Sequence, residues 1–212
     1  MRDLPFNKVL ALSPHTDDIE FGCGGTIARL LEEGKEIHTA VFSICEESVP
    51  EGYPKDILLT EMRAAAEILG IPAEHQHVFG YPVRRFSEHR QDILENLISL
   101  KRKIQPDLIF TPSTFDVHQD HETISKESIR AFRFQTLLGY ELPWNNLSFS
   151  NQLIIELNKG HLNKKIQALE CYKSQSFRNY ADSELFTDNA VVRGIQNRKD
   201  FAEVFEVIKL FF

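Results

Sequence analysis

The sequence predicts an α/β protein with a Rossmann-like layered fold, in which helices flank a mainly parallel sheet. Three observations lead to this prediction. Short apolar runs typical of buried strands recur along the chain, amphipathic stretches with helical spacing separate them, and the intervals between them are short. Strands alternating with helices in this way form βαβ units whose sheet is covered on both faces.

The first four elements follow from residue type. NKVLALS (7–13) is a short apolar run that ends in polar residues, which indicates a buried strand. GGTIARLLEEG (24–34) has apolar residues at helical spacing, and Gly34 is its stop signal. EIHTAVFSI (36–44) is β-branched and aromatic and is predicted as a strand. KDILLTEMRAAAEILG (55–70) is predicted as a helix that ends at its glycine.

The next elements continue the alternation. HQHVFGYP (75–82) contains a short strand, and residues 89–105 form an amphipathic helix that stops before a proline. DLIFTPS (107–113) is another buried strand, and 121–132 another helix. The last third is less regular, and LLGYELP, QLIIEL, NKKIQALECYKSQ and FAEVFEVIKLFF are predicted as further strands and helices. No linker, repeat or low-complexity tract interrupts the chain, so we expect one domain over residues 1–212.

Composition excludes several classes of protein. The formal charge is −7 and basic residues do not cluster, which argues against nucleic-acid binding. Three widely spaced cysteines form no disulfide framework. No stretch approaches the roughly 20 apolar residues of a membrane span, and the first residues do not resemble a signal peptide. We therefore expect a soluble, cytoplasmic protein.

Polar side chains concentrate directly after two of the predicted strands. Ligands of open α/β sheets bind beyond the carboxyl ends of the strands, so these two loops face one pocket if their strands are neighbours. The loop after the first strand supplies His15, Asp17 and Asp18, and the loop after strand 107–113 supplies Asp116, His118, Asp120 and His121.

Imidazoles and carboxylates in this number point to a divalent transition metal. Two histidines and one carboxylate leave a coordination position open for water, as in catalytic zinc sites, although non-haem Fe²⁺ uses the same donors. A remaining aspartate is then free to act as a base. Two plainer interpretations stay open: HTDD alone suits a helix N-cap, and a single HxxH motif arises by chance. The other histidines are interpreted as ordinary surface or core residues, namely His38, His75, His77, His89 and His161.

The motifs PHTDDIEFGCGGT and HQDH resemble those of the LmbE-like, or PIG-L, family of metal-dependent N-acetylglucosaminyl deacetylases. The resemblance continues in EMRAAAEILGI, TPSTFDVHQDH, YKSQ and RGIQNRKDFAEVFEVI, and so covers nearly the whole chain. Thr16 and Gln119 stand where the family usually has proline, which removes a constraint on φ but no chemical group.

The resemblance implies a role for each residue of the motifs. His15, Asp18 and His121 would be the zinc ligands. Asp17 would be the general base, and His118 would stabilise the oxyanion or act as an acid. The resemblance further implies that Asp120 orients a metal-ligating histidine and, more loosely, that Arg63 and Glu46 contact the substrate. For Arg63 a surface salt bridge is an equal alternative.

The implied function is zinc-dependent removal of the N-acetyl group from a small N-acetylated amino sugar or its conjugate. Two alternatives remain: a metal-dependent hydrolase of a different amide or of a phosphate ester, and a non-catalytic module that binds a sugar or nucleotide. Trp144, in the LGYELPWNN segment, is expected near the rim, either stacked on a sugar or packed against the protein. The sequence leaves open the exact substrate and whether the chain forms a homo-oligomer.

Overall fold

The structure is a computed structural model that describes residues 4–178 and 183–211. The strands are Lys8–Ser13 (β1), Glu36–Val41 (β2), Gln76–Val78 (β3), Leu108–Pro112 (β4), Thr136–Tyr140 (β5), Leu153–Leu157 (β6) and Phe201–Lys209 (β7). The helices are Asp18–Glu32 (α1), Ile57–Leu69 (α2), Arg90–Ile104 (α3), Gln119–Ala131 (α4), Lys159–Leu169 (α5) and Ser183–Ile195 (α6).

These strands form a single seven-stranded sheet in the order β3-β2-β1-β4-β5-β7-β6. The first five strands in that order are mutually parallel, and β7 runs antiparallel to both of its neighbours. The mainly parallel α/β sheet predicted from the alternating pattern is therefore confirmed. The irregular last third contributes the antiparallel part of the sheet.

Helices cover both faces of the sheet, as the unbroken apolar character of its strands requires. In β1, Val9 and Ala11 belong to an apolar cluster that includes residues of α1 and α2. Leu10 and Leu12 point to the other face and join a cluster with residues of α3 and α4. The alternation of side chains along each strand thus divides the core into two layers. Among the described residues, no helix is long and apolar enough to cross a membrane.

Helix α1 differs from the prediction, because it begins at Asp18 rather than at Gly24. The chain passes through the GCGG stretch in helical form, with a kink at Cys23, where φ is −147°. These glycines therefore lie inside the helix rather than in the loop before it. Gly22 allows close packing, because a Cβ at this position would lie only 2.2 Å from Cδ2 of Tyr140.

Strand β1 lies at the point where the order of the sheet reverses. The chain leaves β1 for β2 on one side and later crosses back to place β4 on the other side. The loops that follow β1 and β4 therefore diverge and open a crevice between them, which is the usual ligand site in such sheets. The two strands whose loops carry the polar residues are neighbours, as the sequence argument required.

Candidate active site

The two polar loops meet at this crevice. The loop after β1 leads directly into the first turn of α1, and the loop after β4 leads into α4. Both helices direct their N-terminal ends, which carry partial positive charge, towards the same region. The residues that line the crevice or support its walls include His15, Asp17, Asp18, His118, Asp120 and His121.

Three potential ligand atoms converge on one point. His15 Nδ1 lies 3.3 Å from Asp18 Oδ2 and 3.0 Å from His121 Nε2. His121 Nε2 lies 3.4 Å from the same oxygen of Asp18. A tetrahedral zinc ion with bonds of 2.0–2.1 Å separates its ligands by about 3.3 Å. The spacing therefore fits a divalent cation held by these three residues.

Two buried carboxylates orient the two imidazoles. His15 Nε2 lies 3.0 Å from Asp120 Oδ2, and His121 Nδ1 lies 2.7 Å from Asp116 Oδ2. Asp120 also accepts hydrogen bonds from the backbone N–H groups of Arg84 and Phe86, at 2.6 Å and 3.2 Å. Partners of this kind commonly fix the ring orientation of metal-ligating histidines.

The sequence motif contains Asp116 but gave it no separate role. Its pairing with His121 depends on the conformation of the turn that follows β4, where its other oxygen accepts a hydrogen bond from His118 N at 2.8 Å. The only signal in the sequence is the position of this aspartate within DVHQDH.

The carboxylates also decide where the imidazole protons lie. A carboxylate oxygen only accepts, so His15 donates from Nε2 and His121 donates from Nδ1. Their other nitrogens then direct lone pairs at each other and at the Asp18 carboxylate. Burial opposes protonation of His15, but Asp18 and Asp120 outweigh it and raise the pKa of the imidazole well above its usual value. The arrangement thus requires a positive charge at its centre, as a proton or a metal ion.

Asp17 lines the cavity beside this centre, and its carboxylate makes no capping hydrogen bond to α1, although Asp17 occupies the N-cap position of that helix. Burial, and then the negative charge of Asp18, raise the pKa of Asp17 to about 6. Burial opposes ionisation of Asp18 too, but His121 and His15 hold the pKa of that carboxyl well below its usual range. The two adjacent aspartates therefore have opposite protonation behaviour.

His118 packs against both imidazoles of the centre, with its ring centroid 4.9 Å from that of His15 and 4.6 Å from that of His121, and it caps α4. Its Nδ1 accepts a hydrogen bond from Asp120 N at 3.2 Å. Burial, together with the neighbouring imidazoles of His121 and His15, lowers the pKa of His118 to about 4. The ring is therefore neutral near pH 7, and its remaining proton lies on Nε2, from which it can be donated.

A cavity of about 270 Å³ opens over these residues. Trp144 lines it and packs edge-on against Phe21, with ring centroids 5.1 Å apart. The wall combines apolar side chains with two arginines and several neutral polar groups. Besides Trp144, the lining residues outside the predicted site are Thr16, Phe21, Cys45, Ser48, Leu58, Val83, Arg84, Asn145, Gln175 and Arg178.

Two of these lining residues, Gln175 and Arg178, come from the segment after α5. Arg178 Nε donates a hydrogen bond to Gln175 Oε1 at 2.6 Å. The buried Glu61 of α2 holds this segment in place by accepting hydrogen bonds from the backbone N–H and the hydroxyl of Ser174, at 2.8 Å and 2.6 Å. The sequence showed only the YKSQ segment of the resemblance here, which carries no indication of a contact with the other loops.

The structure places Arg63, which the resemblance suggested as a substrate contact, outside this cavity. Arg63 is exposed and lines a separate depression beside Glu67 and Pro72. Helical geometry explains the difference, because α2 buries its other face, on which Leu58 reaches the cavity. Glu46 is exposed in a short 3₁₀ turn at the rim, and the cavity is lined by its neighbours Cys45 and Ser48.

The fold and the site together define an α/β protein with a His/Asp centre suited to a divalent cation at the reversal point of its sheet. The family described as PIG-L: GlcNAc-PI de-N-acetylase matches residues 10–132, which is more than half of the chain. The chain therefore belongs to the PIG-L family. The matched range includes both loops of the centre.

Similar proteins include deacetylases and one enzyme of another class. The chain is 31% identical over 177 residues to the uncharacterised deacetylase YaiS of Escherichia coli K12, covering 78% of this chain and 90% of that protein. It is 27% identical over 147 residues to diacetylchitobiose deacetylase of Thermococcus kodakarensis, covering 64% and 54%. It is 30% identical over 128 residues to 4-oxalmesaconate hydratase of Pseudomonas putida, covering 55% and 48%.

The same fold occurs in solved structures. The conserved protein TT1542 from Thermus thermophilus superposes with a TM-score of 0.82 at 24% sequence identity, and the match covers 97% of each chain. This likeness extends to the last third of the chain, beyond the residues matched by the family.

Proposed function

We propose that this protein is a zinc-dependent hydrolase that removes the N-acetyl group from an N-acetylated amino sugar or its conjugate. The observation that carries the proposal is the convergence of two imidazole nitrogens and one carboxylate oxygen within 3.4 Å of one another, with Asp17 and His118 beside them. Membership of a deacetylase family and the similarity to YaiS and to diacetylchitobiose deacetylase support the choice of reaction.

In this proposal His15, Asp18 and His121 hold the metal ion, and Asp116 and Asp120 keep the two imidazoles in position. When bound, a divalent cation there lowers the pKa of a water molecule and polarises a carbonyl oxygen. The donor set suits Zn²⁺, and Fe²⁺ is the alternative because it accepts the same ligands.

Asp17 acts as the general base. Its carboxylate takes a proton from the water that attacks the acetyl carbon, and its raised pKa makes it a better proton acceptor than an ordinary aspartate. The C–N bond then breaks, and the protonated Asp17 returns a proton to the leaving nitrogen. The products are acetate and the free amine.

His118 stabilises the negative charge that develops on the acetyl oxygen. Because its Nδ1 accepts from the backbone, the neutral ring offers Nε2–H as the donor. Loss of a donor of this kind typically lowers turnover by about 10²–10³. In this proposal Trp144, which lines the cavity above the centre, contacts the sugar ring of the substrate. The other residues of the cavity wall determine which conjugate of the sugar binds.

The proposal is tested by measuring acetate release from N-acetylglucosamine, N,N′-diacetylchitobiose and a panel of other N-acetylated amines. We expect release from an amino sugar that stops with a chelator and returns on addition of Zn²⁺ or Fe²⁺. Release from non-sugar amides alone would favour a different amidase. A fully zinc-loaded protein that binds a sugar without releasing acetate would instead be a binding module.

Addition of water to a carbon–carbon double bond is the second candidate function. The similarity to 4-oxalmesaconate hydratase favours it, and so do Arg84 and Arg178 in the cavity wall, because guanidinium groups bind carboxylates well. The same protein preparation is therefore incubated with 4-oxalmesaconate, and loss of the conjugated double bond of this acid is followed by absorbance. Hydration without any acetate release would replace the first proposal by the second.

A further inference from the structure

A second group of histidines lies at the opposite end of the sheet from the candidate active site. Glu36 and His38 are two residues apart in β2 and so share one face of the sheet. His75 directly precedes β3, and His77 lies within it, paired with the residue two positions after His38. Because Glu36 is the first residue of β2, this cluster is at the amino ends of the strands.

Their polar atoms lie close enough to share an ion. One ligand atom from each of Glu36, His38 and His75 lies within 4.8 Å of the others. His38 Nε2 is 2.8 Å from Glu36 Oε1, and the rings of His38 and His75 stack with centroids 4.0 Å apart. Imidazole and carboxylate donors together favour Zn²⁺, Cu²⁺ or Ni²⁺ over Mg²⁺ or Ca²⁺.

We propose that Glu36, His38 and His75 form a second metal site, which binds a late first-row divalent cation such as Zn²⁺ independently of the candidate active site. The ion would join β2 to the segment that enters the edge strand β3. Binding of the ion would therefore hold the edge strand β3 against the neighbouring strand β2.

The hydrogen bonds around the cluster prepare its nitrogens for this role. His75 Nδ1 donates to the backbone carbonyl oxygen of Ile37 at 3.0 Å, which leaves the lone pair on Nε2. His38 Nδ1 lies 3.3 Å from His77 Nε2. When a metal ion replaces the proton on His38 Nε2, Nδ1–H donates to His77. The cluster thus already contains the outer partner that a metal-ligating histidine needs.

Two features set the cost of binding. Lys8 Nζ lies 3.3 Å from Glu36 Oε1 and competes with the ion for that oxygen. The ligand atoms, spread over up to 4.8 Å, must also contract towards the roughly 3.3 Å of a tetrahedral site. The Glu36 side chain is 42% exposed, so it has room to move towards the imidazoles. We therefore expect this site to bind more weakly than the active-site centre.

The test is a calorimetric titration of the chelator-stripped full chain with Zn²⁺. The variants His75→Gln and Glu36→Gln remove a proposed ligand, and His89→Gln removes a histidine outside the cluster as the matched control. A double variant, Asp18→Asn with His121→Ala, removes the other centre. We expect the wild type to bind two ions, the two cluster variants to lose the weaker one, and the control to keep both.

The double variant should retain the weaker ion, and Zn²⁺ should raise its melting temperature, because an ion that binds only the folded chain stabilises it. The proposal is overturned if His75→Gln and Glu36→Gln titrate like the wild type. It is equally overturned if the wild type binds one ion and the double variant none. Circular dichroism checks folding, and the exposed Glu36→Gln decides the matter if His75→Gln does not fold.

Discussion

Neighbouring residues in this chain have different chemistry because the fold gives each a different set of partners. Asp17 and Asp18 are adjacent, yet burial and Asp18 raise the pKa of Asp17 to about 6, while two imidazoles lower that of Asp18. These environments suit Asp17 to the proposed role of proton acceptor and Asp18 to the proposed role of ionised metal ligand. Groups whose environments separate their pKa values in this way commonly carry acid–base chemistry.

Asp17→Asn should lower turnover by about 10²–10⁴, because the variant cannot accept the proton of the attacking water. Zinc content should stay unchanged, since Asp17 is not among the three converging ligands. Steady-state acetate release and metal analysis check both parts. Asp56→Asn is the matched control, because Asp56 is also an N-cap whose side chain makes no capping bond, and it lies outside the cavity. Equal activity of the two variants would remove Asp17 from the mechanism.

Asp116→Asn should weaken zinc binding by about 10–100-fold, because an amide orients His121 less strongly and lowers its basicity. Competition with a chromophoric chelator measures the affinity. Asp107→Asn serves for comparison, since Asp107 accepts backbone hydrogen bonds from Asn7 and Lys8 instead. An unchanged affinity in Asp116→Asn would mean that His121 needs no support from this carboxylate.

At the scale of elements, helix α1 supplies Asp18 to the candidate centre, and the glycines of α1 fix the position of the helix. A side chain at Gly22 would collide with Tyr140, whose hydroxyl donates to the backbone carbonyl oxygen of Leu12 at 3.0 Å. Beyond the kink, Glu203 accepts hydrogen bonds from the N–H groups of Gly25 and Thr26, at 3.1 Å and 2.7 Å. The middle of α1, from Gly22 to Thr26, is therefore held against β5 and β7, which lie far away in the sequence.

Gly22→Ala should destabilise the protein by about 1–3 kcal/mol, because the added methyl group overpacks a rigid contact with an aromatic ring. Denaturant unfolding measures the change. Gly80→Ala is the control, since a Cβ at Gly80 meets nothing within 4 Å and its φ is not in the left-handed region. If both variants unfold at the same denaturant concentration, the contact with Tyr140 does not constrain α1.

The elements also divide into those that local sequence predicts and those that it does not. Strands β1 and β4 were recognisable because parallel strands buried on both faces need continuous apolar runs. The start of α1 was missed because glycines in the GCGG stretch normally disfavour a helix, and only tertiary packing keeps it. The residues of the candidate site also divide into predicted and unpredicted ones. The motif residues on the two loops were predicted from the sequence, whereas Gln175 and Arg178 reach the cavity through contacts with distant residues that no local pattern encodes.

For the whole molecule, both ends of the sheet carry histidine clusters that respond to pH. At the amino ends, burial, then Lys103 and the neighbouring His38 and His75, lower the pKa of His77 to about 4. The imidazole of His77 therefore binds a proton more readily in the unfolded chain than in the folded chain. The contribution of His77 to the unfolding free energy is fully present above pH 6.5 and is lost as the pH falls from there towards 4.

In chelator, the unfolding free energy of His77→Gln should fall less steeply than that of the wild type between pH 6.5 and 4. Urea unfolding across this range measures the two slopes, with His89→Gln as the control expected to follow the wild type. Identical slopes for His77→Gln and the wild type would show that His77 is not held neutral in the folded chain.

The proposed function depends on a single metal ion held by His15, Asp18 and His121 at the reversal point of the sheet. Anomalous scattering from crystals grown with Zn²⁺ tests it most directly. We predict a strong peak within about 2.0–2.2 Å of His15 Nδ1, Asp18 Oδ2 and His121 Nε2 together. A zinc-containing crystal with no peak between these three atoms would show that they do not hold the metal ion.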